Sequence, residues 1–416
     1  MNNSFKIVAK KSQRIGCMVL GIVCSSLLAP AVSNAQSNIE VVMLPTSWQT
    51  TGEARFTQQK GFPRGVLELT KGSAIPIGVN FLNGTIEFDI GLVGHGIVGL
   101  KFREQDKDNA EVLYFRPQPH CDTATDCIQY MPIAHAAFEW DLYSQYQAAA
   151  PIRSDGWNHV KLIISGRRME VFINGAARPT LSVGRLAGIV STGALDFHGP
   201  ASLANLVIFP NKTEGLPPDA ICDADCKNVR FLRNWQVSSA SNEPTGMDKS
   251  LNAEIGVAPH YSDMPQSPSA WRSLTSEPDG LINLTREVGS ARAGSTISLV
   301  WIKAIINSDR EQQKRVSFGW IREAWVFSNG KLVFADKNLY GIPQASKSPD
   351  GRLALENGSF LLPLHKGRNE LAIAVDDNLP GNTQHYGWGV KLRFDDLRGV
   401  NFSSQDLPPR KVSPQA

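Results

Sequence analysis

A chain of 416 residues is too long for one ordinary core and implies two domains. Its 42 Lys and Arg nearly balance 39 Asp and Glu, and four of the basic residues fall in the first 36 positions, which hold no acid, leaving 38 basic and 39 acidic residues beyond them. That near-neutral remainder gives no electrostatic case for nucleic acid or an anionic membrane surface as a partner.

Residues 1–36 have the grammar of a removable signal peptide. Lys6, Lys10, Lys11 and Arg14 form a basic leader, an apolar run over 15–32 follows, and Ser33-Asn34-Ala35 is a small-residue cleavage site. Ser25, Ser26 and Pro30 interrupt the run, and Cys17 and Cys24 lie too early in it for a lipid-modified terminus. No later stretch approaches the roughly 18–20 apolar residues that span a bilayer, so the mature chain is expected to be extracytoplasmic, periplasmic or secreted, with no transmembrane segment. Four cysteines remain there, Cys121, Cys127, Cys222 and Cys226. An oxidising compartment favours disulfides. Three pairings are open, and the local ones, 121 with 127 and 222 with 226, are preferred because each pair sits in one polar loop. A zinc site would have to draw its ligands from two distant loops.

The first module is placed at 37–212. GTIEFDI at 84–90 alternates, with Ile86, Phe88 and Ile90 on one face and Thr85, Glu87 and Asp89 on the other. GIVGLKF at 96–102 is the next strand, Asp106-Lys107-Asp108-Asn109 a polar turn, and EVLYFR at 111–116 the return. The loop holding Cys121 and Cys127 leads into Ile128-Gln129-Tyr130-Met131-Pro132. The clearest signal is GWNHVKLIISGRRMEVFING at 156–175. There Val160, Leu162 and Ile164, then Met169, Val171 and Ile173, alternate about a turn at Ser165-Gly166-Arg167-Arg168, and Asn174-Gly175 ends the second strand. Strands at 193–197 and 204–209 close the module.

This order of strands resembles laminin-G-like, concanavalin A-type sandwiches, and looks most like the branch found in secreted bacterial proteins that act on or bind glycans. The resemblance covers nearly the whole module and implies a fold rather than an activity, since such folds host lectins, hydrolases and adhesive modules alike.

A linker with a Cys pair is placed at 213–228 and a second β module at 229–403. Its strands are expected at 296–306, 316–320, 324–327, 331–334, 358–364, 371–375 and 387–394, with turns at Asn329-Gly330 and 348–352. WVFSNGKLVFADKNLYG, LPLHKGRNELAIAV and GWGVKLRF resemble galactose-binding-like jelly rolls. That resemblance implies that Gly367 takes a turn while Asn369 bonds backbone. Residues 404–416 read as a loose tail. The fold class is therefore all-β: two tandem antiparallel β-sandwich (jelly-roll) domains behind a cleaved signal peptide.

Three groups of residues offer chemistry. Glu87 and Asp89 share a strand face, as the acid/base and nucleophile carboxylates of laminarinase-type hydrolases do. The family's third acid would fall where Leu92 stands, so two solvated carboxylates are the expectation. Arg103, Arg116, Gln129, Tyr130 and His135 lie at strand ends or in the following loop and suit sugar hydroxyls or carboxylates, and Tyr130 or Trp140 suits a pyranose face. The bacterial laminin-G-like branch often carries the same Arg…Tyr-Phe-Arg-Pro…Gln-Tyr run, which implies a shared site. In the second module Tyr340, His385 and Tyr386 fall in loop-like stretches where binding residues concentrate, whereas Trp325 and Trp388 are assigned to the core. No cofactor is expected, although Asp106 with Asp108, Asp122 with Asp126, and Asp223 with Asp225 each offer a fragment of a Ca²⁺ site.

Of three readings, an exported carbohydrate-binding protein leads. A glycoside hydrolase using Glu87, Asp89, Glu104 or Glu139 is second, and an adhesive module with a protein partner third.

Overall fold

The computed structural model describes residues 37–93, 98–221, 225–242, 258–289, 297–377 and 385–402, and their regular elements are almost all antiparallel β-strands. The expected signal segment at 1–36, the expected tail at 404–416, Cys222 and Asp223 lie outside the described residues. No described helix is long and apolar enough to cross a membrane.

Two sheets face each other across the first core. One, the hairpin sheet, runs Leu181–Val183, Arg168–Ile173, Trp157–Ser165, Gly84–Leu92, Ala201–Pro210, Phe62–Lys71 and Glu53–Gln59, with Ile39–Glu40 beside Ala201–Pro210. Its centre is the pair of strands anticipated at 156–175: Val160, Leu162 and Ile164 stand opposite Ile173, Val171 and Met169, and all six are fully buried. Each such side chain contributes roughly 1.5–3 kcal/mol relative to leaving it in water. Gly166 makes the turn in a left-handed conformation (φ 53°) against the carbonyl of Pro218, where no Cβ fits.

The other, the cleft sheet, runs Ala137–Phe138, Ile128–Ala134, Asn109–Phe115, Val98–Asp106, Ala194–His198, Ser73–Pro76 and Trp48–Thr50, with Gln147–Ala148 beside Ile128–Ala134. Leu100, Phe102, Leu113, Phe115, Tyr130 and Phe197 point into the core, where Phe88 meets Phe197 edge-on with centroids 5.2 Å apart. Asn109–Phe115 and Ile128–Ala134 depart from the half-exposed pattern of a surface strand, because both of their faces are covered. The outward set, Ala110, Val112, Tyr114, Met131 and Ile133, packs with Trp140 into a second apolar cluster.

The second sandwich pairs a large sheet with a small one. The large sheet runs Trp271–Thr275, Asn234–Ser238, Ile297–Ser308, Gly367–Asp376, Arg322–Ser328 and Lys331–Asn338, with Ser241–Asn242 and Val400–Phe402 beside Ile297–Ser308. The small sheet runs Leu281–Asn283, Gly389–Phe394, Gln312–Trp320 and Gly358–Leu364. Large and small residues alternate across the large sheet: Ala374 lies between Trp301 and Trp325, so both indoles bury over one methyl group. Trp325 and Trp388 are buried, as the sequence suggested. Asn329 and Gly330 both have positive φ in the hairpin turn. Gly367 takes a turn at φ 98°, and Asn369 hydrogen-bonds the backbone N–H and C=O of His365 at 2.8 Å each.

The stretch from Phe138 to Gln147 joins the two sandwiches. Phe138 N–H donates to the carbonyl of His385 (2.8 Å) and the Phe138 carbonyl accepts from Gly387 N–H (3.1 Å), while Leu353 N–H donates to the carbonyl of Asp141 (2.9 Å). Glu139 is fully buried and holds the Arg286 guanidinium at 2.8 Å and the Asn283 amide at 3.1 Å. Tyr143 and Arg185 both reach Glu277, at 2.8 and 2.9 Å. One cluster of buried apolar side chains continues from the first sandwich through Leu142 and Tyr143 to Leu281, Ile282 and Trp388, and residues 36–416 form one compact unit.

Cys121 and Cys127 form a disulfide with a Cα–Cα distance of 5.5 Å, the local pairing preferred above. Cys226 is disulfide-bonded as well. Among the described residues no group of three or more His, Cys, Asp or Glu is placed to hold a metal ion.

Candidate functional site

The outer face of the cleft sheet is a grid whose rows follow from its register. Asp196, Lys101, Val112 and Met131 lie side by side in one row, and His198, Gly99, Tyr114 and Gln129 in the next. Gly99 therefore leaves a bare patch of backbone between His198 and Tyr114. A Cβ built there would meet its neighbours at 3.5 Å or more, so the strand itself has no need of glycine at this position. What the missing side chain provides is depth.

Over this floor stands an aromatic wall drawn from both sandwiches. Trp140 follows the short strand Ala137–Phe138, and it meets Tyr340 with centroids 4.5 Å apart and Tyr386 at 5.5 Å, both edge-on. The Arg352 guanidinium lies behind the wall, 5.5 Å from the Trp140 ring and 6.0 Å from that of Tyr340. Tyr386 is brought into place by the backbone bonds that Phe138 makes on either side of it. Floor and wall enclose a cleft of about 450 Å³, within the roughly 300–1,000 Å³ range of small-ligand pockets.

The charged and polar groups sit at two ends. At one, Lys101 lies 2.9 Å from Glu104 and 3.9 Å from Asp196, and His198 Nε2 lies 2.7 Å from Asp196 Oδ2. Asp196 is buried, yet its Oδ1 has no hydrogen-bond partner among the described residues. At the other end, Arg116 donates from Nη1 to the carbonyl (3.0 Å) and carboxylate (2.8 Å) of Asp126, and from Nη2 to the Tyr114 hydroxyl (3.2 Å). That hydroxyl donates in turn to Gln129 Oε1. Burial pushes the Tyr114 phenol up to about 12, so it remains a proton donor throughout the physiological range. Lys101, Arg116 and His198 are the ionisable Lys, Arg and His lining the cleft, and no Asp or Glu lines it.

The residues singled out from sequence thus part company. Arg116, Trp140, Tyr340 and Tyr386 come together at the cleft, although they were drawn from separate groups in two modules. Gln129 is buried behind Tyr114, where it also donates to the carbonyl of Trp140 (2.8 Å). Tyr130 lies in the first core, its hydroxyl donating to Glu111 (2.5 Å) and accepting from Ala187 N–H (2.5 Å). Arg103 is buried as well, tying the carbonyls of Leu82 and Gly166 together. His135 occupies a left-handed turn position (φ 52°), and His385 is engaged through its backbone carbonyl; neither lines the cleft. Gly99, Lys101 and His198 were not singled out, and Tyr114 entered only as part of the Tyr-Phe-Arg-Pro run. The signal was latent in the pairing of strands, which places them in adjacent rows but leaves no mark on any one strand.

Glu87 and Asp89 are on the outer face of the hairpin sheet. Asp89 accepts from His159 (2.8 Å) and from the Asn205 amide (2.7 Å). Burial alone would raise the Asp89 pKa, but these two hydrogen bonds outweigh it and hold the carboxyl below its ordinary value. Glu104 pairs with Lys101, and Glu139 lies in the seam between the sandwiches. Among the short Asp pairs, Asp106 is engaged by Asp108 N–H and Asn109, and Asp126 by Arg116 and Gln118.

A second, larger groove of about 700 Å³ lies on another side of the seam. Four of its five charged lining residues pair with one another, the fifth being Glu356: Lys391 lies 2.5 Å from Asp279, and Arg393 lies 3.9 Å from Asp225.

No family model matches the chain, and no curated protein matches it in sequence. Among solved structures it is similar to a carbohydrate-binding module from Bacillus subtilis, at 16% identity over 40% of this chain and 92% of that one, with a TM-score of 0.27. A Bacillus subtilis protein of unknown function with a galectin-like fold is similar at 16% identity over 42% of this chain and 94% of that one, TM-score 0.30. The beta-glucanase of Bacillus licheniformis is similar at 8% identity over 42% and 98%, TM-score 0.30. Each likeness covers less than half of the chain, so the ligand of the cleft has to be argued from its own residues.

Proposed function

We propose that this protein binds carbohydrate in the cleft between its two sandwiches. The observation that carries the reading is the bare Gly99 floor facing a wall of Trp140, Tyr340 and Tyr386, with hydrogen-bonding side chains at both ends. A pyranose has an apolar C–H face and a rim of hydroxyls, and it needs a surface of that composition: aromatic carbon for the face, fixed donors and acceptors for the rim. The rim groups here are held in place before any ligand arrives. Tyr114 is fixed between Arg116 and Gln129, and Lys101 between Glu104 and Asp196, which limits the ordering cost of binding. The Cys121–Cys127 disulfide supports a location outside a reducing cytoplasm.

The test is a glycan panel presented to the mature protein and to Gly99→Leu. The strand accommodates a side chain at this position, so the variant should unfold at nearly the wild-type temperature while losing at least about tenfold in affinity, or about 1.4 kcal/mol. Absence of binding to any glycan, or binding undiminished in Gly99→Leu, would overturn the reading.

A further inference from the structure

We infer that the ligand is an acidic sugar, with its anionic substituent seated at the Arg116 end of the cleft and its hydroxyls at the Asp196 end. This rests on the carbohydrate reading and goes beyond it by giving the cleft a polarity.

The two ends differ in how their charges are balanced. Lys101 has two carboxylates around it, Glu104 at 2.9 Å and Asp196 at 3.9 Å, so its charge is more than compensated. At the far end the ratio is reversed. Arg116 and Arg352 share the single carboxylate of Asp126, at 2.8 and 3.6 Å. One positive charge is left over there, in a partly buried setting where salt screens it less than it would on an open surface. A guanidinium has five N–H donors. Arg116 makes three hydrogen bonds to described residues, two to Asp126 and one to Tyr114, which leaves donors for a ligand. A carboxylate or sulfate ester is the group that such a fork receives best.

The Asp196 end calls for the opposite chemistry. Asp196 and Glu104 lie beneath the cleft rather than lining it, and the groups they hold at its wall are Lys101 and His198. Those two side chains suit sugar hydroxyls, whereas a second anion so near Asp196 and Glu104 would be repelled. The ligand therefore has to be oriented, anion toward Arg116 and hydroxyls toward Asp196, across the Gly99 floor.

The experiment compares three probes by calorimetry on the mature protein: a uronic acid oligosaccharide, the same oligosaccharide after carboxyl reduction, and a sulfated neutral oligosaccharide. A charge-assisted hydrogen bond is worth about 1.5–3 kcal/mol, so one of the two anionic probes should bind about tenfold to a hundredfold tighter than the reduced one, and less so at high salt. Preference for the uronate assigns the anion as a carboxylate, and preference for the sulfated probe assigns it as a sulfate ester. Arg116→Gln should bring the preferred probe down to the affinity of the reduced one, while Gln118 and Arg352 still hold Asp126. Equal affinity for all three probes, with loss in Gly99→Leu, would overturn the acidic-sugar inference and leave carbohydrate binding standing. Binding of none of them would overturn both. The comparison on the wild-type protein decides the question even if Arg116→Gln folds poorly.

Discussion

The two outer faces of the first sandwich carry the same kinds of residue and put them to different use. On the hairpin sheet, Asp89 is engaged by His159 and Asn205, Lys161 by Glu214 (2.6 Å), and the Thr85 hydroxyl donates to the carbonyl of Lys212 (2.6 Å). The chain after Pro210 runs along this face and covers part of it, which is why Ile163 is buried although its neighbours in the alternation point to the core. On the cleft sheet the polar groups are also tied to one another, but around a gap. Gly99 removes a side chain from the centre, and the second sandwich supplies a wall in place of a lid. Polar side chains that satisfy each other make a surface; polar side chains arranged round a space, with donors to spare, make a site.

That difference depends on the seam, and the largest expected effect comes from breaking it. Arg286→Met leaves the Glu139 carboxylate buried without its charged partner, which should cost about 3–5 kcal/mol in thermal or urea unfolding. Replacing both partners with apolar residues, Glu139→Leu with Arg286→Met, should recover most of that loss, because the penalty lies in the orphaned charge rather than in the missing attraction. If the single variant is as stable as wild type, the seam does not hold the wall in place.

A smaller effect sharpens the same comparison from the other side. Tyr340→Ala removes one ring from the wall while leaving Glu139, Arg286 and the first core intact. The ring contacts beyond area burial are worth about 0.5–1.5 kcal/mol, so glycan affinity should fall by a few-fold to about tenfold with little change in unfolding temperature. A variant that unfolds early but binds normally would assign Tyr340 to packing instead.

Strand periodicity made much of the fold legible. Ile86, Phe88 and Ile90, or Val160, Leu162 and Ile164, announce their faces because a period of two survives wherever one face is wet. The strands Glu53–Gln59 and Phe62–Lys71 were not individually anticipated: the first is a polar outer strand, and the second carries Pro63 and, at Gly65, a positive φ that breaks the alternation. For Asn109–Phe115 and Ile128–Ala134 the period is hidden because both faces are buried, one of them under Trp140, Tyr340 and Tyr386, the last two more than 200 positions away in the chain. The site was legible only in pieces for the same reason. Arg116, Trp140, Tyr340 and Tyr386 each carry a suitable side chain, but what joins them is the docking of Phe138 between His385 and Gly387, a contact that no local pattern encodes. Arg103, Gln129 and Tyr130 had suitable chemistry too, and burial gave them structural partners instead.

The smallest effect concerns the carboxylates that looked most like chemistry. The hydrogen bond to Asp89 raises the His159 pKa above its ordinary 6.5, and the same pairing, with Asn205, brings Asp89 below 3.8. A raised histidine contributes stability that is fully present below about pH 6.5 and is lost as the pH rises through its folded value. A lowered carboxyl contributes stability that is present above about pH 3.8 and is lost as the pH falls through its folded value. The pair therefore stabilises the fold most between those limits. Because His159 is about half exposed and Asp89 is only partly buried, solvent screening holds the contribution to no more than about 1 kcal/mol. Urea unfolding of Asp89→Asn should show its deficit at pH 5 and a smaller one at pH 8, with glycan affinity unchanged at both. A deficit independent of pH would mean that Asp89 acts through Asn205 alone, and a loss of glycan binding would move the site to the hairpin face.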